Sequence, residues 1–280
     1  GAQRRDQARR QRRQYLPQLL ADPVLLVGSR QTTLVAGGKH APETLTHGPQ
    51  ALFLASRKTR CMQVVPVQAL DVRLQRRVAL KMMRPDHLRS DSLRQHFEQE
   101  ARAAARIESP NVVQVFDCGV DEADGQATPY IVMELLTGED LETRLQRQSR
   151  LSLQAVTEII AQASRALSTA HAAGLVHRDL KPANLYLAKV EGREMVKILD
   201  FGIAAFRASD RSITHPSYLM GTPHYMSPEQ IQAPRTVDAR SDLFSLAVVA
   251  YQALTGRLPF EAPSLPDLLL CITQPSFPVQ

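Results

Sequence analysis

A chain of 280 residues is long enough for one large domain or two lobes with a substantial core. The net charge of +6 hints at nucleic acid, but Gly1 to Arg13 holds six arginines against one aspartate, which leaves +1 for everything after it; the basic character describes a solvated arm, not a specific nucleic-acid face. Three distant cysteines (Cys61, Cys118, Cys271) exclude a disulfide framework and a CxxC zinc site, and no apolar run approaches the roughly eighteen residues of a membrane span.

These totals suit reduced thiols and a cytoplasmic location. No signal peptide is present. The first residue is Gly1 rather than Met, as in a fragment whose missing parts carry other addresses, a membrane tether among them. Residues 1–60 are predicted as a basic arm and an unassigned region. YLPQLLADPVLLVG has the leucine and valine for a short helix and a strand, and AGGKHAP lacks the spacing of a phosphate loop and reads as a turn.

Between Val64 and Met83 the pattern turns to strands. In RRVALKMM, Ala79 and Lys81 fall on one face and Val78 and Leu80 on the other. Ser90 or Asp91 then caps a helix running to about Ile107. Its apolar face is Phe97, Ala101, Ala104 and Ile107, and Glu100 shares that face. An inward carboxylate needs a cation, for which Lys81 is the nearest candidate in sequence. Glu98, on another side of the helix, is the competing carboxylate. Pro110–Val120 and Pro129–Leu136 read as two further strands around a polar loop at Asp121–Gln126.

GEDLETRL starts a short helix. Ser152 caps a long one through Ala173, closed by Gly174. The stretch LVHRDLKPANLYL follows, with Arg178, Lys181, Asp179, Asn184 and His177 inside eight residues and apolar flanks on either side. Asp179 suits proton acceptance from an attacking hydroxyl, Lys181 suits charge neutralisation, and Asn184 offers a neutral oxygen to a hard cation such as Mg2+. A hairpin (Leu185–Ala188, a turn at Gly192, Met195–Leu199) then returns Asp200 of Leu-Asp-Phe-Gly beside Asn184, making a plausible two-oxygen Mg2+ site.

At these residues the chain resembles the catalytic domain of serine/threonine protein kinases, most similar to the bacterial branch. The resemblance implies an α+β, two-lobed fold: a small antiparallel β N-lobe over 61–136 and a mainly α-helical C-lobe over 137–280, with ATP and Mg2+ between them. It makes Asp179 the catalytic base and Lys181 its serine/threonine-type companion. Asn184 and Asp200 become metal ligands, with Phe201 the packing residue between them. Lys81 and Glu100 become the pair that orients the α and β phosphates. Ala79 would line the nucleotide site, Met133 guard its back, and Glu134 and Leu136 offer backbone groups to adenine. The segment after Gly202 matches the activation segment, with Thr214, Ser217 and Thr222 as its hydroxyl candidates and Ser227-Pro228-Glu229 as its closing motif. A phosphate added there, by self-phosphorylation for instance, would pair with Arg178. Asp242, near the start of the apolar helix Ala239–Gly256, would accept hydrogen bonds from the catalytic-loop backbone.

Two departures stand out. Thr59–Ala69 contains no glycine where a glycine-rich phosphate loop belongs, and Pro66 removes a backbone donor. A frameshift in the source gene upstream of residue 70 would leave the same pattern. The helical lobe ends early, so Glu229 lacks the arginine it meets in the family. The expected activity is transfer of the ATP γ-phosphoryl group to a Ser or Thr hydroxyl of a protein substrate. The alternative is a pseudokinase or interaction module with the same fold, and a nucleic-acid protein using the basic arm is the weakest reading.

Overall fold

A computed structural model describes residues 25–27, 64–71, 74, 76–83, 91–121, 128–201 and 223–274. The chain divides into two compact units, one of residues 1–91 and 117–135, the other of residues 92–116 and 136–280. Among the described residues no helix is long and apolar enough to cross a membrane.

The first unit is built on a sheet of β1 (Leu25–Val27), β2 (Val64–Asp71), β3 (Arg76–Met83), β4 (Val115–Asp121) and β5 (Thr128–Glu134), in the order β1-β2-β3-β5-β4. β3 pairs antiparallel with β2 along its whole length and with β5 on its other side. β1, from the unassigned N-terminal region, adds in parallel, meeting only Ala69–Asp71; β2, β3 and β5 pair antiparallel as expected. Pro66 does not interrupt β2: it lies opposite Lys81, in the half of the strand that, among the described residues, pairs with β3 alone, where a missing donor is tolerated. Along β3, Val78 and Leu80 are fully buried on one face. Lys81 is buried on the other, beside half-buried Ala79.

The second unit begins with α1 (Asp91–Ala104), which stops short of the expected Ile107; its predicted apolar residues Phe97, Ala101 and Ala104 are buried, as is Ile107 beyond its end. The strand expected to start at Pro110 starts at Val115 instead. Residues 111–113 form a parallel bridge to Ile198, whose amide donates to the Asn111 carbonyl (2.8 Å) and whose carbonyl accepts the Val113 amide (3.0 Å). The Asn111 side-chain amide is spent on Val196 O (2.8 Å) and Gln162 Oε1 (3.1 Å), so this stretch is committed to the helical unit.

β6 (Gly138–Asp140), β7 (Leu185–Val190) and β8 (Arg193–Ile198) form a three-stranded antiparallel sheet. Asp140 ends β6 and caps α2 (Leu141–Gln148) through the Thr143 amide at 2.7 Å. α3 (Leu153–Ala172) starts at its predicted cap Ser152 and ends with Gly174 left-handed at φ 75°. There the Gly174 and Leu175 amides bond His171 O and Ala170 O at 2.9 Å each, the two bonds of a Schellman stop. The short α4 (Pro228–Gln232), α5 (Ala239–Thr255) and α6 (Leu265–Thr273) follow. One apolar cluster fills the unit, drawing on α3 (Ile159, Ala163, Leu167), the sheet (Leu185, Leu187, Ile198) and α5 (Leu246, Val249). Leu180 and Phe201 belong to it, which ties both ends of the polar region to the core.

Candidate active site

The polar loop leaves α3 at Gly174 and enters β7 at Leu185, so its ends are fixed by a helix stop and a strand. Between them the conformation is not one its own residues favour. Arg178 has φ 66° and Asp200 has φ 59°, left-handed values that cost a side-chain-bearing residue energy and persist only when neighbours impose them.

Asp242 imposes the first. Its carboxylate is fully buried at the start of α5. Oδ1 accepts the Arg178 amide (2.8 Å), while Oδ2 accepts the His177 amide (2.8 Å) and bonds His171 Nε2 on α3 (2.7 Å). His177 is fully buried too. Its Nδ1 accepts the Asp179 amide (3.2 Å), which leaves Nε2–H to donate to Leu199 O (2.8 Å) and fixes the neutral tautomer. The ring meets Phe201 edge-on, with centroids 4.8 Å apart. One imidazole therefore sets the spacing between the loop and the strand end that carries Asp200.

Asp179 is partly exposed, and Lys181 Nζ donates to its Oδ2 at 2.8 Å. Pro182–Asn184 form a 3-10 turn that brings the Asn184 side chain back over Asp179, with Nδ2 donating to the Asp179 carbonyl at 2.7 Å and lying 3.4 Å from Oδ2. Two consequences follow. Asp179 Oδ1 remains available to an incoming hydroxyl, and Asn184 Oδ1, the oxygen not used on the loop, is available to a cation. The Leu199 amide donates to Asn184 O at 2.9 Å, so the residue before Asp200 is bonded to Asn184. The structure thus brings Asp179, Lys181, Asn184 and the Asp200 strand end together within one unit.

The remaining sequence candidates are carried by other elements. Lys81 and Ala79 are on β3 and Glu134 ends β5, in the first unit, while Leu136 follows β5 in the second. Glu100 is on α1, with its side chain outside the described residues, as are Thr214, Ser217 and Thr222 altogether.

Glu229 has a partner that the sequence does not suggest. Ser241 Oγ donates to Glu229 Oε1 at 2.5 Å. Burial pushes this carboxyl up, but the Ser241 bond, its own backbone amide and Ser227 outweigh burial and hold it below its ordinary value. Nearby, Tyr225 OH donates to Gln252 on α5 at 2.6 Å. Burial and the charge of Glu142 raise that phenol to about 12, against the opposing Gln252 bond. Gln230, also unanticipated, donates from Nε2 to Arg178 O at 2.7 Å. The Ser227-x-x-Gln230 spacing was readable as a capping box, but nothing local pointed to its second bond.

Residues 64–271 match the family model of the protein kinase domain. The serine/threonine-protein kinase PknB of Mycobacterium leprae is 41% identical over 192 residues, 69% of this chain and 30% of that protein. PknB of Mycolicibacterium smegmatis is 42% identical over 193 residues, with the same two shares. The serine/threonine-protein kinase PknA of Mycobacterium tuberculosis is 42% identical over 195 residues, 69% of this chain and 44% of that protein. The chain therefore spans less than half the length of these relatives. A family match over most of the chain, with a loop whose strained backbone is held from three sides, leaves one conclusion: the chain belongs to the protein kinase domain family.

Proposed function

We propose that this chain transfers the γ-phosphoryl group of ATP to a serine or threonine hydroxyl of a protein, with 61–136 as the smaller lobe and 137–280 as the larger. The observation that carries the reading is the Asp179 carboxylate, fixed on one oxygen by Lys181 and open on the other. The acceptor O–H gives its proton to Asp179 as its oxygen bonds to the γ phosphorus. The bond from that phosphorus to the β–γ bridging oxygen breaks, and ADP leaves. Lys181 neutralises charge on the transferred group, so positioning and electrostatics supply most of the rate.

Asn184 Oδ1 and Asp200 fit a hard cation. Both are oxygen donors, and two protein oxygens completed by phosphates and water are what Mg2+ takes. Among the described residues no cluster of three or more His, Cys, Asp or Glu competes for a metal. When bound, Mg2+ neutralises phosphate charge. Lys81, buried in β3, and Glu100 serve the α and β phosphates. Ala79, Glu134 and Leu136 serve the adenine end. Self-phosphorylation would fall on Thr214 or Ser217, with Thr222 bonding Asp179 and Lys181. Dependence on ATP places the activity in the cytoplasm.

Incubating the chain with γ-labelled Mg-ATP and a generic basic protein tests this directly. Label on phosphoserine or phosphothreonine is the expected product. Thermal stabilisation by Mg-ATP with no transferred label would assign the chain to the non-catalytic alternative.

A further inference from the structure

We infer that Gln230 is a positioning residue for phosphotransfer, the second clamp on the left-handed Arg178 backbone that aims Asp179; this rests on the function proposed above. Arg178 is the one residue between His177 and Asp179, and its φ of 66° sets the direction in which the next side chain leaves the loop. Asp242 holds the Arg178 amide, and the peptide on that residue's other side is held at the Asp179 N–H by His177 Nδ1 at 3.2 Å. Gln230 fixes the opposite end of that peptide with a shorter bond, at 2.7 Å to the Arg178 carbonyl.

The clamp is well determined. Gln230 Oε1 accepts the Ser227 amide at 3.0 Å, so Nε2 must face Arg178, and the orientation of the amide is settled by its two partners. The base of the clamp is held as well. Glu229, adjacent to Gln230, takes the Ser241 hydroxyl, and Ser241 is adjacent to Asp242. Three hydrogen bonds and two pairs of adjacent residues therefore close a ring from Arg178 N to Asp242, along the chain to Ser241, across to Glu229, and along the chain to Gln230 and back to Arg178 O. The ring fastens the first turn of α4, where the Ser227-Pro228-Glu229 motif closes the activation segment, to the peptide preceding Asp179. A shift of that turn would reach the carboxylate through one side chain.

Gln230→Glu separates this role from simple helix capping. A glutamate caps as well as a glutamine, because its carboxylate still accepts the Ser227 amide. It has no donor for Arg178 O and sets a negative charge against that carbonyl. The expected result is a melting temperature and a KM for ATP close to wild type, with kcat lowered about ten- to a hundredfold. Arg178→Gly lets the backbone hold the left-handed region without help, so adding it to Gln230→Glu should cost less than the product of the two single effects. Unchanged kcat in Gln230→Glu, or full multiplicativity in the double variant, would overturn the proposal. Amide hydrogen exchange across His177–Asp179 reads the clamp without turnover: exchange should quicken in Gln230→Glu. A wild type that transfers no phosphate would sink the functional reading alone, whereas unaltered exchange would sink the clamp.

Discussion

Lys81 and Asp179 are fixed by opposite means. Lys81 sits in β3 between two strands, and the alternation of the pleat turns it to the side of Ala79. The strands on both sides of it form a regular ladder. Asp179 sits on an irregular loop after a residue of positive φ, and its direction depends on Asp242, some sixty residues away, and on His177, Asn184 and Gln230. The contrast teaches that repetition positions a side chain cheaply, while a loop needs several distant partners, each of which is a point of failure.

The largest expected effects break this contrast. Asp242→Ala strips the acceptor from two buried backbone amides and His171 at once, and should destabilise the helical unit by about 3–5 kcal/mol while abolishing transfer. Lys81→Met should also abolish transfer, but it removes one buried cation from a regular strand rather than the shared acceptor of several loop donors, so its loss of stability should be the smaller of the two. Chemical denaturation alongside a transfer assay checks both. Equal losses of stability in the two variants would erase the distinction drawn here.

Gly138→Ala tests the small sheet that supports the polar loop. Gly138 has φ 145°, and a Cβ there would lie 2.1 Å from Leu187 O. A backbone oxygen cannot yield as a side chain can, so a loss of about 2–4 kcal/mol is expected in denaturant titrations.

Much of this was legible in the sequence, and the failures have a common cause. Ser152, Gly174 and Gly256 marked helix ends because caps and stops are set by the residues at those positions. The dense run from His177 to Asn184 announced itself for the same local reason. β6 escaped notice because three residues carry no periodicity, and only pairing with β7 defines them. Residues 110–114 read as strand because Val112 and Val113 are apolar, but Asn111 commits its side chain to α3 and β8. Ser241 and Gln230 were missed because a serine and a glutamine are unremarkable until the fold supplies Glu229 and Arg178 as partners.

Smaller effects sharpen the picture. Since Glu229 in the fold lies below its ordinary value of 4.5, its contribution is fully present above that pH and is lost as pH falls through the depressed folded value. Ser241→Ala removes one of the bonds that depress it, so the acid-unfolding midpoint should move to higher pH in a circular-dichroism titration. Pro66→Val should change stability by less than about 1 kcal/mol, because β2 pairs with β3 along its length and no other described strand pairs at the proline.

The most direct test is a single-turnover measurement. Chain preloaded with Mg-ATP is mixed with excess acceptor protein, and wild type is compared with Asp179→Asn. The amide keeps the shape of the carboxylate but cannot take the proton, so the transfer rate should fall about 10²–10⁴-fold with ATP affinity unchanged. Equal rates in the two proteins would contradict the assignment of Asp179 and the account built on it.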